Sequence, residues 1–401
     1  MVLWIIPTLA VALIAIGGGI FVRYNNIKHR PALSQQIDNQ SSIIYVIGDL
    51  HGDSQCTRYW IDKIGVVDDA SSPTQWMDPR ASLVFMGDYV DKGPQSRQVI
   101  DIVRKLTDTF PTKVTALMGN HEMELLKDRD SSRPNFYYHM PYAVVHPGEY
   151  FNYLDRELDN DDNIVLQLLM QASMEVYGNN WYSAVRYAPD VKKGHSVVEL
   201  MQPEYQTLVK QRLTEYQQAY IDAYRSNTTL GQWLMARPVV HRQDGVLFTH
   251  GGVSSAEANF VRTAEKVKEM NAAVLMNANE DDFRTFMEST PMGQAAEEMM
   301  IYRGNHGDCS MTTKLLDGME YTSKLVVGHT PAKSVRVQCN GRFLAADSLL
   351  GRYIRTSGNQ YCSDHGGKSV NGRFVCPPVS QQCHGQIVKI TNGKDIELIE
   401  A

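Results

Sequence analysis

Three short glycine-bounded motifs, each closing an apolar run, constrain this chain more than any other feature. Ile43–Ile47 leads into Gly48-Asp49-Leu50-His51-Gly52. Leu83-Val84-Phe85-Met86 leads into Gly87-Asp88-Tyr89-Val90-Asp91-Lys92-Gly93. Residues 114–118 lead into Gly119-Asn120-His121-Glu122. Short apolar runs bounded by turn residues predict buried strands. Beyond the second loop, Val99, Ile102, Val103 and Leu106 recur at helical spacing, so the unit reads strand, loop, helix. Open α/β sheets hold ligands beyond the C-terminal ends of their strands. The three units therefore deliver Asp49, His51, Asp88, Asp91, Asn120 and His121 to one edge. A single Gly-Asp or Gly-Asn pair is an ordinary turn. Three in succession, each with a His or a second Asp, call for a chemical reason.

Carboxylate and amide oxygens with imidazole suit a divalent ion such as manganese, iron or zinc. One Asp lying between two such ligand sets can bridge two ions. Two ions about 3.5–4 Å apart can clamp the attacking and leaving oxygens of a phosphoryl displacement. Two later apolar runs also end in histidine. One is Gly245-Val246-Leu247-Phe248-Thr249-His250-Gly251-Gly252, the other Leu325-Val326-Val327-Gly328-His329-Thr330-Pro331. A lone His after a strand is usually structural, but two at equivalent strand ends extend the same ligand set. None of the six cysteines sits in a phosphate-binding loop, so a thiol nucleophile is not indicated.

The chain of 401 residues is long enough for one large domain or two ordinary ones. Its net charge of −6 and the lack of a long basic block give no sign of a nucleic-acid surface. Residues 2–22 contain no charged side chain, and a bilayer takes about 20 residues to cross. This run predicts a hydrophobic helix acting as a single-pass anchor, with a secretory signal peptide as the other reading. Arg23, Lys28 and Arg30 follow it and favour a cytoplasmic domain. The cysteines point the other way. Cys339, Cys362, Cys376 and Cys383 crowd the C-terminal part, which suggests disulfides and a secretory or periplasmic setting, unless they are free thiols. Asn39-Gln40-Ser41 and Asn227-Thr228-Thr229 are glycosylation sequons of a kind that also arises by chance.

The expected organisation is an anchor or signal peptide at 1–22, a polar linker at 23–42 and a folded domain at 43–401. Cys56, Tyr59, Trp60 and Ile64 predict a helix after the first loop. Residues 129–230 break the strand–helix alternation and read as a helical insertion, with Tyr205, Leu208, Val209, Leu213, Tyr216 and Tyr220 on one helical face. Arg133, Tyr137, Tyr138 and His139 there are candidates for shaping an entrance to the site. A helix is expected over 256–273, a variable region over 276–322, and antiparallel strands near 334–338, 342–346 and 386–390.

The five motifs, Gly-Asp-Leu-His-Gly, Gly-Asp-Tyr-Val-Asp-Lys-Gly, Gly-Asn-His-Glu, His-Gly-Gly and Gly-His-Thr, occur in that order. In this they resemble the phosphoprotein phosphatase branch of the calcineurin-like metallophosphoesterases, over about residues 43–398. Leu230-Gly231-Gln232-Trp233-Leu234, Arg237-Pro238-Val239-Val240, Tyr302-Arg303-Gly304 and Val327-Gly328-His329-Thr330-Pro331 are similar to the Shewanella-like protein phosphatases. The Ser-Ala-Pro-Asn-Tyr-Cys tail of the ordinary eukaryotic Ser/Thr phosphatases is absent, and Asp347-Ser348 near its expected place does not match it.

The resemblance implies an α/β fold, a metallophosphoesterase β-sandwich of two mixed sheets flanked by helices. It implies two divalent metal ions, manganese first, with iron or zinc as alternatives. Asp49 and His51 would bind one ion, Asp88 would bridge both, and Asn120, His250 and His329 would bind the other. His121 would be the general acid, oriented by Asp91, while Arg303 and Lys92 would hold the phosphate. Lys92 departs from the family, where Arg is usual, and gives a point charge in place of a bidentate fork. The implied reaction is hydrolysis of phosphoproteins, at phosphotyrosine or phosphoserine/threonine, by a metal-bridging hydroxide. Lys92-Gly93-Pro94-Gln95-Ser96 also resembles diadenosine tetraphosphatases and keeps a dinucleoside polyphosphate hydrolase as the alternative. A third reading, an inactive membrane-anchored scaffold, is opposed by the presence of all six ligand positions. No regulatory subunit can be named from the residues.

Overall fold

Alternating side chains on the first strands set the layering. A computed structural model of the chain describes residues 41–130, 145–177, 203–353, 368–370, 373–375 and 381–401. It begins with β1 (Ile43–Ile47), α1 (Ser54–Ile64), β2 (Ala81–Phe85), α2 (Ser96–Thr109), β3 (Val114–Ala116) and α3 (Asn120–Lys127). On β1 and β2, Ile44, Val46 and Val84 face one way and Ile43, Ile47, Leu83 and Phe85 the other. Every second residue of a strand lies on the same face, so each strand supplies two apolar surfaces. Both must be covered, which requires a layer on each side of the sheet.

One side is covered by helices. Trp60 of α1 and Val99, Val103 and Leu106 of α2 are buried against the sheet, as their spacing predicts. Asp53 caps α1 by accepting the Cys56 N–H (3.1 Å), and Gly65, at φ 64°, ends it in the left-handed conformation. The other side is covered by a second sheet. Its strands are β4 (Val240–Gln243), β5 (Val246–Thr249), β6 (Lys324–Val327), β7 (Arg336–Gln338) and β8 (Phe343–Ala345). After them come a short hairpin, β9 (Lys368–Val370) and β10 (Arg373–Val375), and then β11 (Gln386–Thr391) and β12 (Asp395–Glu400).

The first sheet has the order β12-β11-β1-β2-β3 and the second β4-β5-β6-β8-β7. Both are mixed, since β1, β2 and β3 run parallel while β11 is antiparallel to β1 and β12. In the second, β5, β6 and β8 are parallel and the outer strands antiparallel. Ile44, Val46, Val84 and Met86 meet Val246, Phe248, Val326 and Leu344 in a dry layer between the sheets. The expected sandwich of two mixed sheets flanked by helices is what the chain forms.

Between β3 and β4 the described residues are mostly helical. Pro147–Tyr153 is a 3-10 turn, followed by α4 (Asn160–Tyr177), α5 (Pro203–Ala223) and α6 (Thr229–Met235). On α5, Val209, Leu213, Tyr216 and Tyr220 are buried, but Tyr205, expected on the same face, is 39% exposed near the helix start. The helix expected over 256–273 is two pieces, a 3-10 turn at Glu257–Phe260 and α7 (Ala264–Met276), because Thr263 caps a fresh start at the Lys266 N–H. The stretch read as variable, 276–322, holds three further helices: α8 (Phe283–Ser289), α9 (Pro291–Ile301) and α10 (Cys309–Asp317).

Four of the cysteines are described, and they form disulfides Cys56–Cys383 and Cys309–Cys339. Cys339 and Cys383 of the C-terminal part are thus cross-linked to upstream helices. Arg133, Tyr137, Tyr138 and His139 lie outside the described residues. Among the described residues no helix is long and apolar enough to cross a membrane. That finding corrects the expected membrane localisation; the run at 2–22 on which it rested, and its hydrophobic helix, lie outside the described residues.

Candidate metal centre

The loops after β1, β2 and β3 reach their positions through backbone that side chains seldom adopt. His51, Asp88, Asp91 and Lys92 have φ of 44°, 54°, 69° and 66°. Residues with side chains are uncommon in this left-handed region, so the surroundings must hold them there. Glu122 does much of that. It is fully buried, and its two carboxylate oxygens accept the N–H groups of Asp88 (2.8 Å), Tyr89 (2.8 Å), Val90 (3.0 Å) and Gly119 (2.9 Å). Four donors on one carboxylate tie the second loop to the third. Gly87, at φ 99°, permits the contact, since a Cβ there would lie 2.6 Å from the Gly119 nitrogen.

The imidazoles are oriented from behind. The Nδ1 of His51 meets the Val90 carbonyl (3.1 Å), which turns Nε2 toward Asp88 Oδ2 (3.4 Å) and Asp49 Oδ2 (3.9 Å). The Nδ1 of His250 meets the Met86 carbonyl (2.7 Å), which turns Nε2 toward Asp88 Oδ1 (3.2 Å) and Asn120 Oδ1 (3.1 Å). Carbonyl partners of this kind fix tautomer and ring direction in metal-ligating histidines. His329, at φ 64°, approaches Asn120 Oδ1 with Nδ1 (2.8 Å) and donates its backbone N–H to both Asp49 oxygens (3.2 and 3.0 Å). Gly328 leaves room for this; a Cβ would come within 2.5 Å of Asp49 Oδ1.

Ligand atoms fall into two groups that share Asp88. His51, Asp88 and His121 form one, and Asp88, His250 and His329 the other. Asp49 and Asn120 border these groups through the contacts above. All six residues singled out as ligands are therefore gathered at one place. His121 joins the first group, with Nε2 3.8 Å from Asp88 Oδ2, while its Nδ1 is 2.6 Å from Asp91 Oδ2. Its ring stands edge-on to His51 at 4.9 Å.

The electrostatics call for added positive charge. Burial, then the neighbouring Asp347, pushes the Asp49 carboxyl well above its usual range. Burial alone would raise Asp88 as well, but His250 and His121 outweigh it and hold it well below. Against its own burial, His250 is drawn up to about 10 by Asp88 and Asp49. Burial and then His250 push His329 down to about 2. The carboxylates thus pull a proton onto a buried imidazole. Lys92 Nζ lies 2.6 Å from His51 Nε2, the atom turned toward the carboxylates, and burial holds the Lys92 ammonium below its usual value against the pull of Asp88, Asp347 and Asp49. Buried carboxylate oxygens converge here with imidazole nitrogens, a donor set that fits divalent ions.

Lys92 and Arg303 are placed differently. Lys92 points into the first group. Arg303 is exposed at the rim, where its Nη1 donates to Thr330 Oγ1 (3.0 Å). Two buried residues went unassigned from the sequence. Glu122 stood inside a motif, but nothing in the string shows that it accepts amides from two loops. Asp347, beyond β8, is 1% exposed and acts on both Asp49 and Lys92. Its position at the end of an apolar strand, like His250 and His329, was the available signal.

Comparison with known proteins agrees with this geometry. Residues 43–183 match the calcineurin-like phosphoesterase family. An uncharacterized protein of Schizosaccharomyces pombe is 24% identical over 321 residues, 77% of this chain and 73% of that protein. The serine/threonine-protein phosphatase 6 catalytic subunit of Caenorhabditis elegans is 31% identical over 93 residues, 23% of this chain and 25% of its own. The symmetrical bis(5'-nucleosyl)-tetraphosphatase of Aromatoleum aromaticum is 34% identical over 84 residues, 21% of this chain and 26% of its own. These last two matches span about a quarter of each relative's length. Among solved structures, a cold-active protein tyrosine phosphatase matches with a TM-score of 0.50 and 17% identity, over 89% of this chain and 78% of that one, a likeness of fold. With its sheet order, loop motifs and shared Asp88, the chain carries a calcineurin-like metallophosphoesterase domain.

Proposed function

We propose that this phosphoesterase hydrolyses phosphomonoesters on proteins, at phosphotyrosine or phosphoserine/threonine. The observation that carries the reading is Asp88, whose two oxygens serve two separate groups of imidazoles. Asp49 and His51 would hold one divalent ion, Asn120, His250 and His329 a second, with Asp88 between them. Bound ions would supply Lewis-acid activation of water and charge neutralisation at the phosphate. Manganese is the first choice of metal.

The chain's own groups do the rest. His121 gives its Nδ1 to Asp91, so its Nε2 is the atom that faces the reaction space. A proton on that Nε2 goes to the leaving oxygen as the P–O bond breaks, the service a poor leaving group needs. Asp91 keeps the ring in the direction that allows this. Arg303, at the rim beside His329, meets the non-bridging phosphoryl oxygens, where positive charge stabilises the transferring group. Lys92 would add a second positive charge once it leaves His51.

The match to a bis(5'-nucleosyl)-tetraphosphatase, together with Lys92-Gly93-Pro94, supports hydrolysis of dinucleoside polyphosphates as a second reading. The experiment that tests between them uses manganese-loaded protein. Turnover of a phosphotyrosine peptide, a phosphoserine peptide and diadenosine tetraphosphate is measured side by side. A strong peptide preference is expected and would also tell tyrosine from serine. A strong dinucleotide preference would overturn the protein-phosphatase reading.

A further inference from the structure

One face of α5 carries a row of tyrosines. Tyr216 and Tyr220, four residues apart, and Tyr224 just beyond the helix end are all buried. Residues at this spacing share a helix face. Tyr216 donates to Asp162 Oδ1 (2.6 Å). The Tyr224 hydroxyl pairs with that of Tyr153 (2.6 Å), which donates to Glu149 Oε1 (2.7 Å). Tyr220 differs. Its ring stands edge-on to Tyr150 (5.6 Å) and Tyr153 (5.0 Å), yet its hydroxyl is buried with no hydrogen-bond partner. A buried hydroxyl in that state is costly and calls for an explanation.

Tyr220 borders a cavity of about 20 Å³, and Asp91 lines the same cavity, with Gln217 and Asp128 as the other polar neighbours. Burial raises the Tyr220 phenol well above its ordinary value, and Asp91 raises it next, so the group stays an O–H beside that carboxylate. Asp128 is taken up by Arg284 (3.6 Å). Asp91 is 2% exposed and gives its Oδ2 to His121 Nδ1 (2.6 Å). A carboxylate can accept about four hydrogen bonds, and among the described residues Asp91 Oδ1 accepts none. A buried donor and a buried acceptor thus border one small space. That space has room for a single water, which would find both a donor and acceptors there.

We propose that Tyr220 is a positioning residue for the Asp91–His121 pair, its hydroxyl donating to Asp91 through one water held in this cavity. This rests on the phosphoesterase reading of the same centre. Asp91 stands in left-handed backbone, at φ 69°, so its direction depends on the groups around it. With Oδ1 held from the α5 side, Oδ2 keeps the His121 ring turned so that Nε2 delivers its proton to the leaving oxygen. The helical insertion then takes part in the reaction by steadying the general acid.

The test is turnover of aryl phosphates with poorer and better leaving phenols by the full, manganese-loaded chain. His121→Asn gives the reference: its loss should grow as the leaving phenol worsens, because proton donation is what it lacks. Tyr220→Phe keeps the ring against Tyr150 and Tyr153 and removes only the hydroxyl. It should lower kcat for phenyl phosphate about 3- to 10-fold, the worth of one hydrogen bond, and clearly less for p-nitrophenyl phosphate, with KM little changed. In an Asp91→Asn background the same substitution should cost nothing further. Equal losses on the two esters, no loss on phenyl phosphate, or the full loss retained in Asp91→Asn would each overturn the proposal. The melting temperature gives a second reading. Tyr220→Phe should lower it, because a satisfied buried group is removed; a rise would show a hydroxyl with no partner and overturn the proposal equally. Failure of the phosphoesterase reading would look different: wild-type protein would turn over neither ester and none of the three substrates above.

Discussion

The two sheets contribute to the centre in unlike ways. On the first, ligands come in clusters on loops bent through left-handed backbone and tied together by Glu122. On the second, the ends of β5 and β6 supply one histidine each, and each histidine is oriented by the first sheet. His250 is aimed by the Met86 carbonyl and the His329 backbone by Asp49. The first sheet builds the centre, and the second closes it. A ligand set split this way assembles only when the sheets pack, so the dry layer of Ile44, Val46, Val84, Phe248, Val326 and Leu344 is a condition of function as much as of stability.

The largest break in this arrangement is Asp88→Asn, because Asp88 alone serves both sides. Turnover should fall to background, and metal analysis should show loss from both positions. Normal turnover would end the two-metal reading. Next is His121→Asn, which should lower kcat by about 10²- to 10⁴-fold, the size of general-acid effects, with metal retained. Loss of metal would instead make His121 a ligand of the His51 group. Glu122→Gln attacks the scaffold of the first sheet only. One oxygen becomes a donor, which strands two backbone N–H groups at about 1–3 kcal/mol each. Metal affinity should drop about 10- to 100-fold, as when second-layer partners are removed, and thermal unfolding should come earlier. An unchanged melting curve would show that Glu122 is not the tie described.

The smallest effect on chemistry should come from reducing the disulfides. They lie outside the ligand set, and loss of a native disulfide costs about 2–5 kcal/mol of stability. Cys56–Cys383 closes the longer loop, with a separation of 327 against 30 for Cys309–Cys339, so Cys56→Ser should lower the melting temperature more than Cys309→Ser. Turnover at low temperature should stay near wild type in both.

Much of the first sheet was legible because its information is local. Apolar run, glycine, acid and histidine follow one another within a few residues, so strand, loop and ligand are read together. His250 and His329 were legible more weakly, as single residues after strands, and gained meaning from the upstream motifs. What escaped depends on contacts far apart in sequence. Asp347 reaches Asp49, and Cys56 pairs with Cys383. The helices between 276 and 322 were missed because their apolar residues are spread among Met, Ala and Gly, which leave a weak periodic signal. Lys92 was read as a phosphate holder from its place in the motif, whereas its side chain turns toward His51.

The central claim is that Asp88 joins two ion positions. Electron paramagnetic resonance of the full chain titrated with two equivalents of manganese tests it most directly. A spin-coupled dimanganese signal, lost in Asp88→Asn, is the result expected. Only the six-line spectrum of isolated manganese at two equivalents, the same in wild type and Asp88→Asn, would contradict it.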